Sequence, residues 1–137
     1  MEFAVIGRML VLQKDQSGYV EPCIVHSEFG EIPGKCQGGS SCFPYNEEER
    51  YGIEFERIVG TEEKPIKLVI NKGLGNPHGA IKGYQKDGAG EVYAAIANTE
   101  WGLIPGKAQD NTCWFPYAGK EYTTSDFYWI VRVRLAD

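Results

Sequence analysis

Four residues at a fixed spacing offer the clearest chemistry in this chain. Asp15 is followed twenty residues later by Lys35, and Asp87 is followed by Lys107 at the same interval. A carboxylate accepts from sugar hydroxyls and an ammonium donates to their oxygens, so the two held together can grip a vicinal diol. Such charge-assisted hydrogen bonds are the stronger kind. Each lysine follows a Pro-Gly pair, Pro33-Gly34 and Pro105-Gly106, which reads as a rigid loop that lets the backbone approach a neighbour closely. Gln37 and Gln109 would add an amide to each site, and Phe29 and Trp101 a stacking face. The alternative is that each Asp–Lys pair is an ion pair holding a turn, and surface pairs of that kind contribute little individually.

The recurrence is not local. Gly30-Glu-Ile-Pro-Gly-Lys35 and Gly102-Leu-Ile-Pro-Gly-Lys107 are separated by an offset of 72, which holds without a gap. Positions 7 to 59 set against 79 to 131 give 21 identities in 53 pairs, where unrelated stretches of ordinary composition match at roughly one position in fifteen to twenty. This is an internal duplication, and it decides the architecture. Residues 1–60 form the first repeat. Residues 61–137 hold a linker strand and the second repeat, joined through Gly60-Thr-Glu-Glu-Lys-Pro65. A half of this size is near the lower limit for an independent core, so the halves are expected to share one. Further polar residues kept in both copies are Gln13/Gln85, Lys14/Lys86, Glu28/Glu100 and Glu49/Glu121. The glutamates read as structural acceptors of backbone N–H groups. Phe43-Pro-Tyr45 and Phe115-Pro-Tyr117 read as core, as aromatics usually are.

The elements that must position these residues are strands. Residues 3 to 12, Tyr19 to Val25, Tyr51 to Val59, Ile66 to Ile70, Ile81 to Gln85, Glu91 to Ala97 and Trp114 to Tyr117 carry strand patterns. No window has a sustained helical period, and 17 glycines and 7 prolines fit many turns. The expectation is all-β: an antiparallel β-sandwich of two pseudo-two-fold repeats sharing one core, with a closed barrel as the alternative. The last run, Phe127 to Leu135, alternates cleanly and predicts a strand with one wet face, its edge open to pairing in a homodimer.

Other classes fit poorly. The net charge is −5 with no Lys/Arg run, whereas a nucleic-acid binder presents a basic face. No apolar run approaches 18 residues, so no transmembrane helix is expected. No signal peptide is visible, and if Met1 is the native start, a cytoplasmic protein follows; a processed chain or another export route would void that reading. Cys23, Cys36, Cys42 and Cys113 are not repeated; they read as free thiols, with a Cys36–Cys42 loop bridge as the alternative. Two histidines and no Cys-x-x-Cys argue against zinc. The obvious carboxylates, Asp15 and Asp87, belong to different copies rather than flanking one bond, and no hydrolase, metalloprotease or phosphate-loop motif is present. No enzyme, metal or cofactor is expected.

The second copy, through Gly79-Ala-Ile-Lys-Gly83, Asp87-Gly88, Val92-Tyr93, Leu103-Ile-Pro-Gly-Lys107 and Tyr117-Ala-Gly-Lys-Glu121, resembles the DM-nine repeat family. The first copy matches at Asp15, Gly30 through Lys35, Tyr45 and Glu49, and departs where Gln16 follows Asp15 and where Asn46-Glu47 stands at the turn. The resemblance implies tandem β-rich repeats and a mannose-binding lectin, often dimeric, serving pattern recognition in innate defence. It implies that Asp15 with Lys35, and Asp87 with Lys107, hold the sugar. Mannose or mannose-containing glycans are the expected partners. A protein- or membrane-assembly interaction module, with the Asp–Lys pairs purely structural, is the alternative function.

Overall fold

The computed structural model describes residues 4–133. Among them fifteen strands follow in order: β1 (Gly7–Arg8), β2 (Val11–Gln13), β3 (Gly18–Ser27), β4 (Gly30–Gln37), β5 (Ser40–Tyr45), β6 (Glu48–Gly52), β7 (Glu54–Arg57), β8 (Val59–Gly60), β9 (Ile66–Ile70), β10 (Lys82–Gln85), β11 (Gly90–Thr99), β12 (Gly102–Gln109), β13 (Thr112–Tyr117), β14 (Lys120–Thr124) and β15 (Phe127–Arg132). The described residues are all-β, and every strand pairing is antiparallel. Moving the bounds of β3, β4, β5 and β6 by 72 gives those of β11, β12, β13 and β14. Backbone conformation repeats as well. Gln16 (φ 82°) matches Gly88 (φ 98°), and Glu47 (φ 68°) matches Gly119 (φ 83°).

The strands do not form two facing sheets. β3, β2, β12, β13, β14, β6, β5 and β4 close into a ring, because β3 also pairs with β4. This is the barrel alternative rather than the sandwich, with further strands outside the ring. Two short contacts between repeats complete it: Gln13 of β2 opposite Gly102 of β12, and Glu48 of β6 opposite Lys120 of β14. The second pair is its own mate under the offset and lies on the pseudo-two-fold axis. The mate of the first is β10 against β4, with Gln85 opposite Gly30. Each repeat therefore lends its first long-turn strand to the other.

Burial follows the same plan. One apolar cluster lies in the first repeat around Val25, Ile32 and Phe43, and one in the second around Ile104, Phe115, Phe127 and Trp129. A third joins Met9, Val11, Val20 and Ile58 to Ala94, Ile96 and Ile130, so part of the core is shared.

The Pro-Gly pairs, expected in loops, sit inside β4 and β12. On its second edge β4 pairs with β10 at Gly30 and Glu31 and with β5 from Lys35 onward. Pro33 falls in the gap between these partners, where a missing N–H costs no bond on that edge. A Cβ on Gly34 would stand 2.2 Å from the Cys42 carbonyl oxygen, and one on Gly106 2.1 Å from that of Trp114. These glycines allow close backbone packing within strands. The last strand also differs from expectation. Ile130 is fully buried, so the face expected to be wet is only partly exposed, at Tyr128 and Arg132, and β15 is paired on both sides, by β11 and β9. The end strands of the large sheet are β7 and β9, and Val5 bridges β9 at Ile66. Phe3 and Leu135, assigned to strands from sequence, lie outside the described residues.

Candidate functional site

Lys35 and Lys107 extend from the interiors of β4 and β12 and are buried, whereas Asp15 and Asp87 stand exposed on the turns after β2 and β10. Each pair is joined through a glutamine. Lys35 Nζ donates to Gln13 Oε1 at 2.9 Å, and Gln13 Nε2 donates to the Asp15 carboxylate at 3.0 and 3.1 Å. Lys107 Nζ donates to Gln85 Oε1 at 2.7 Å, and Gln85 Nε2 to Asp87 at 2.9 and 3.1 Å. The Asp–Lys ion pairs of the alternative reading are not formed. The ion pairs are Lys35–Glu49 at 3.6 Å and Lys107–Glu121 at 3.7 Å. Sequence reasoning passed over Gln13 and Gln85, although both copies keep them two residues before the aspartate.

The two glutamates also tie the repeats together. Glu49 Oε1 accepts the Gly119 N–H at 2.8 Å, and Glu121 Oε1 accepts the Glu47 N–H at 2.9 Å. Tyrosines cross in the same way. Tyr45 donates its hydroxyl to Asp87 Oδ2 at 3.0 Å, while Tyr117 helps to lower the Asp15 carboxyl and its ring lies 5.8 Å from Lys35 Nζ. These tyrosines, read as core from sequence, are half-exposed site residues. Phe29 and Trp101, expected to touch ligand, instead stack behind them: Phe29 on Tyr45 at 4.2 Å and Trp101 on Tyr117 at 4.4 Å. Gln37 and Gln109 clamp backbone. Gln109 Nε2 donates to the Ala89 and Glu91 carbonyls at 2.8 and 3.0 Å, and Gln37 does the same for Ser17 and Tyr19. Each amide fixes the turn that carries its aspartate.

The two sites differ in shape. A cavity of about 240 Å³ opens at the second, lined by Tyr45, Gln85, Asp87, Lys107, Trp114 and Glu121 among others. At the first, a cavity of about 130 Å³ borders Gln13, Lys35, Ser41, Cys42 and Tyr51 but not Asp15. Trp114 stands where the first repeat has Cys42, and Lys107 Nζ lies between the Tyr45 and Trp114 rings at 5.3 and 6.0 Å. Buried Ser41 Oγ has no hydrogen-bond partner among the described residues.

The Ser17 contacts, helped by Gln13 and Tyr117, hold the Asp15 carboxyl down to about 2. Burial pushes the Asp87 carboxyl upward, but the Ala89 N–H, Gln85, Tyr45 and Lys107 outweigh it and hold it low. Burial lowers the Lys107 ammonium, with Glu121 and Asp87 opposing. All four cysteines are free and buried, Cys36 and Cys42 included. Burial pushes the Cys42 thiol up to about 12, so little thiolate is available near neutrality. No group of three His, Cys, Asp or Glu residues that could hold a metal occurs among the described residues.

No family model matches this chain, and no curated protein matches it. Among solved structures it is similar to the crystal structure of the nematode sperm cell motility protein MFP2B, with a TM-score of 0.69 at 12% identity. The likeness covers 96% of this chain and 43% of that one, so this chain spans less than half of its neighbour. At that identity the likeness speaks for the fold alone. No helix among the described residues is long and apolar enough to cross a membrane.

Proposed function

We propose that this chain is a non-catalytic carbohydrate-binding protein of mannose-type specificity, with one site in each repeat and a role in glycan recognition for innate defence. The observation that carries this reading is the second site. The exposed Asp87 carboxylate is held in place by Gln85, beside the Lys107 ammonium, in a cavity walled by the Tyr45 and Trp114 rings. Fixed acceptors and donors next to an aromatic face are what a pyranose needs: hydroxyls meet the charged groups and C–H faces meet the ring. The DM-nine resemblance supplies the sugar. Shallow single sites bind at about 0.1–1 mM, or −4 to −5.5 kcal/mol. Two sites per chain, and four in a dimer, raise the effective affinity by about 10² or more where both engage at once.

Isothermal titration with D-mannose, with galactose as control and EDTA present, tests the reading. Saturable heat that Asp87→Asn removes from the second site supports it. No heat at high millimolar mannose overturns it. A second reading, an interaction module whose polar network is structural, is favoured by Glu121, which receives both Lys107 and a backbone N–H of the other repeat. Under that reading, changes at Asp87 alter stability and leave sugar without effect.

A further inference from the structure

The duplication exposes a vacancy in the sheet. In the second repeat, β9 covers the outer edge of β15, with Ile70, Leu68 and Ile66 opposite Tyr128, Ile130 and Arg132. The mates of those three β15 residues are Glu56, Ile58 and Gly60. In the first repeat, β7 has one neighbour, β3, and ends the sheet. The Asn71 N–H donates to the Phe127 carbonyl at 2.9 Å, so the mate of Phe127, Phe55, turns its backbone groups outward, and Arg57 two residues on does the same.

The surroundings mirror this difference. Leu68 packs into the shared core beside Ile96 and Ile130, both fully buried. Their mates Ile24 and Ile58, together with Ile81, floor an open groove of about 400 Å³. Its rim is acidic. Lys82 is paired with Glu91 and Arg57 with Glu21, while Arg132 donates to the Val59 carbonyl. Glu31 and Glu56 share one imidazole, His26, and Glu54 stands exposed beside them.

We propose that the outer edge of β7 binds an extended, basic segment of a partner protein by strand addition. The segment runs antiparallel to β7. Its backbone meets Phe55 and Arg57, an apolar side chain enters over Ile58 as Leu68 does over Ile130, and lysine or arginine stands opposite Glu56 and Glu54. A second copy of this chain does not suit the edge. Its β9 would set Ile70 against Glu56, and its β7 would bring the two Glu56 carboxylates together. The charged edge thus excludes self-pairing while selecting a basic strand. This groove faces away from Gln85 across β10, so the inference does not depend on the sugar reading.

The test uses a fluorescein-labelled peptide, Thr-Val-Leu-Val-Lys-Val-Lys, followed by anisotropy, with amide hydrogen exchange on the protein. The expected result is saturable binding, about tenfold tighter than for the same peptide with glutamate in place of both lysines. Binding should slow exchange at the Phe55 and Arg57 amides. The exposed double variant Glu54→Lys/Glu56→Lys should reverse the preference. No saturation by about 1 mM peptide, protection elsewhere, or a preference unchanged in the double variant would each overturn the proposal.

Discussion

The Tyr45 hydroxyl of the first repeat donates to Asp87 Oδ2 of the second at 3.0 Å, and Phe29 stacks on the back of the same tyrosine. The second site is therefore walled by a residue from the opposite half of the sequence. Tyr45→Phe keeps the ring and the stack but deletes the hydrogen bond. Because the hydroxyl is solvent-accessible, the expected stability loss is under about 1 kcal/mol. The Asp87 carboxyl, which Tyr45 helps to lower, should titrate at higher pH, and mannose should bind the second site several-fold more weakly. Carboxyl NMR titration and calorimetry on the one variant check both.

Lys107 is buried against Glu121 and Gln85. Lys107→Ala strands an acceptor and a carboxylate in a buried position, and breaking a buried pair on one side costs about 3–5 kcal/mol. Lys107→Met/Glu121→Gln, which removes both charges, should recover at least half of that. A double-mutant cycle in urea measures the coupling. An additive result would mean that the two charges do not support one another.

Two groups set opposite limbs of the stability–pH profile. The Asp15 carboxyl is lowered from 3.8 to about 2, so its contribution is complete above the unfolded value and lost as pH falls toward 2. For His26, burial lowers the imidazolium, but Glu31 and Glu56 outweigh it and raise the group above 6.5. Its contribution is complete below 6.5 and lost as pH rises through the folded value. Asp15→Asn should reduce the slope below pH 4, where Asp87 and Glu21 also contribute, and His26→Gln should reduce it above 6.5, read from urea midpoints across the pH series.

Gln16 holds a φ of 82° where its mate Gly88 holds 98°. A side chain in the left-handed region carries a steric cost that glycine avoids, partly offset by glycine's greater unfolded entropy. Gln16→Gly should raise stability by about 0.5–1 kcal/mol in equilibrium urea unfolding. A loss of stability would mean that the Gln16 side chain makes a contribution larger than that cost.

Much of the strand plan was legible because duplication states its patterns twice and because runs such as Ile66–Ile70 and Phe127–Arg132 are mostly β-branched or aromatic. Pro33-Gly34 misled because breaker rules assume that every strand residue is paired on both edges, and β4 changes partner at that point. The same local rules misassigned Ile130. Alternation along one strand reports two faces, but not that a second apolar layer, fed by Met9 and Ile58, lies on the face counted as wet. At the site, Asp15, Lys35, Asp87 and Lys107 could be picked out because chemistry and recurrence coincide there. The crossing of Tyr45 and Tyr117 could not, since a contact between residues 42 positions apart depends on how the repeats embrace.

The exchange of β2 and β10 between halves bears on how such a protein can evolve. A single repeat on its own would lack the strand that pairs with the start of its Pro-Gly-Lys strand and the tyrosine that walls its site. A symmetric pair of such single repeats would supply both, because each half provides what the other lacks. The two sites are therefore mechanically linked: Tyr45 of the first repeat serves the second site whether or not the first holds a ligand.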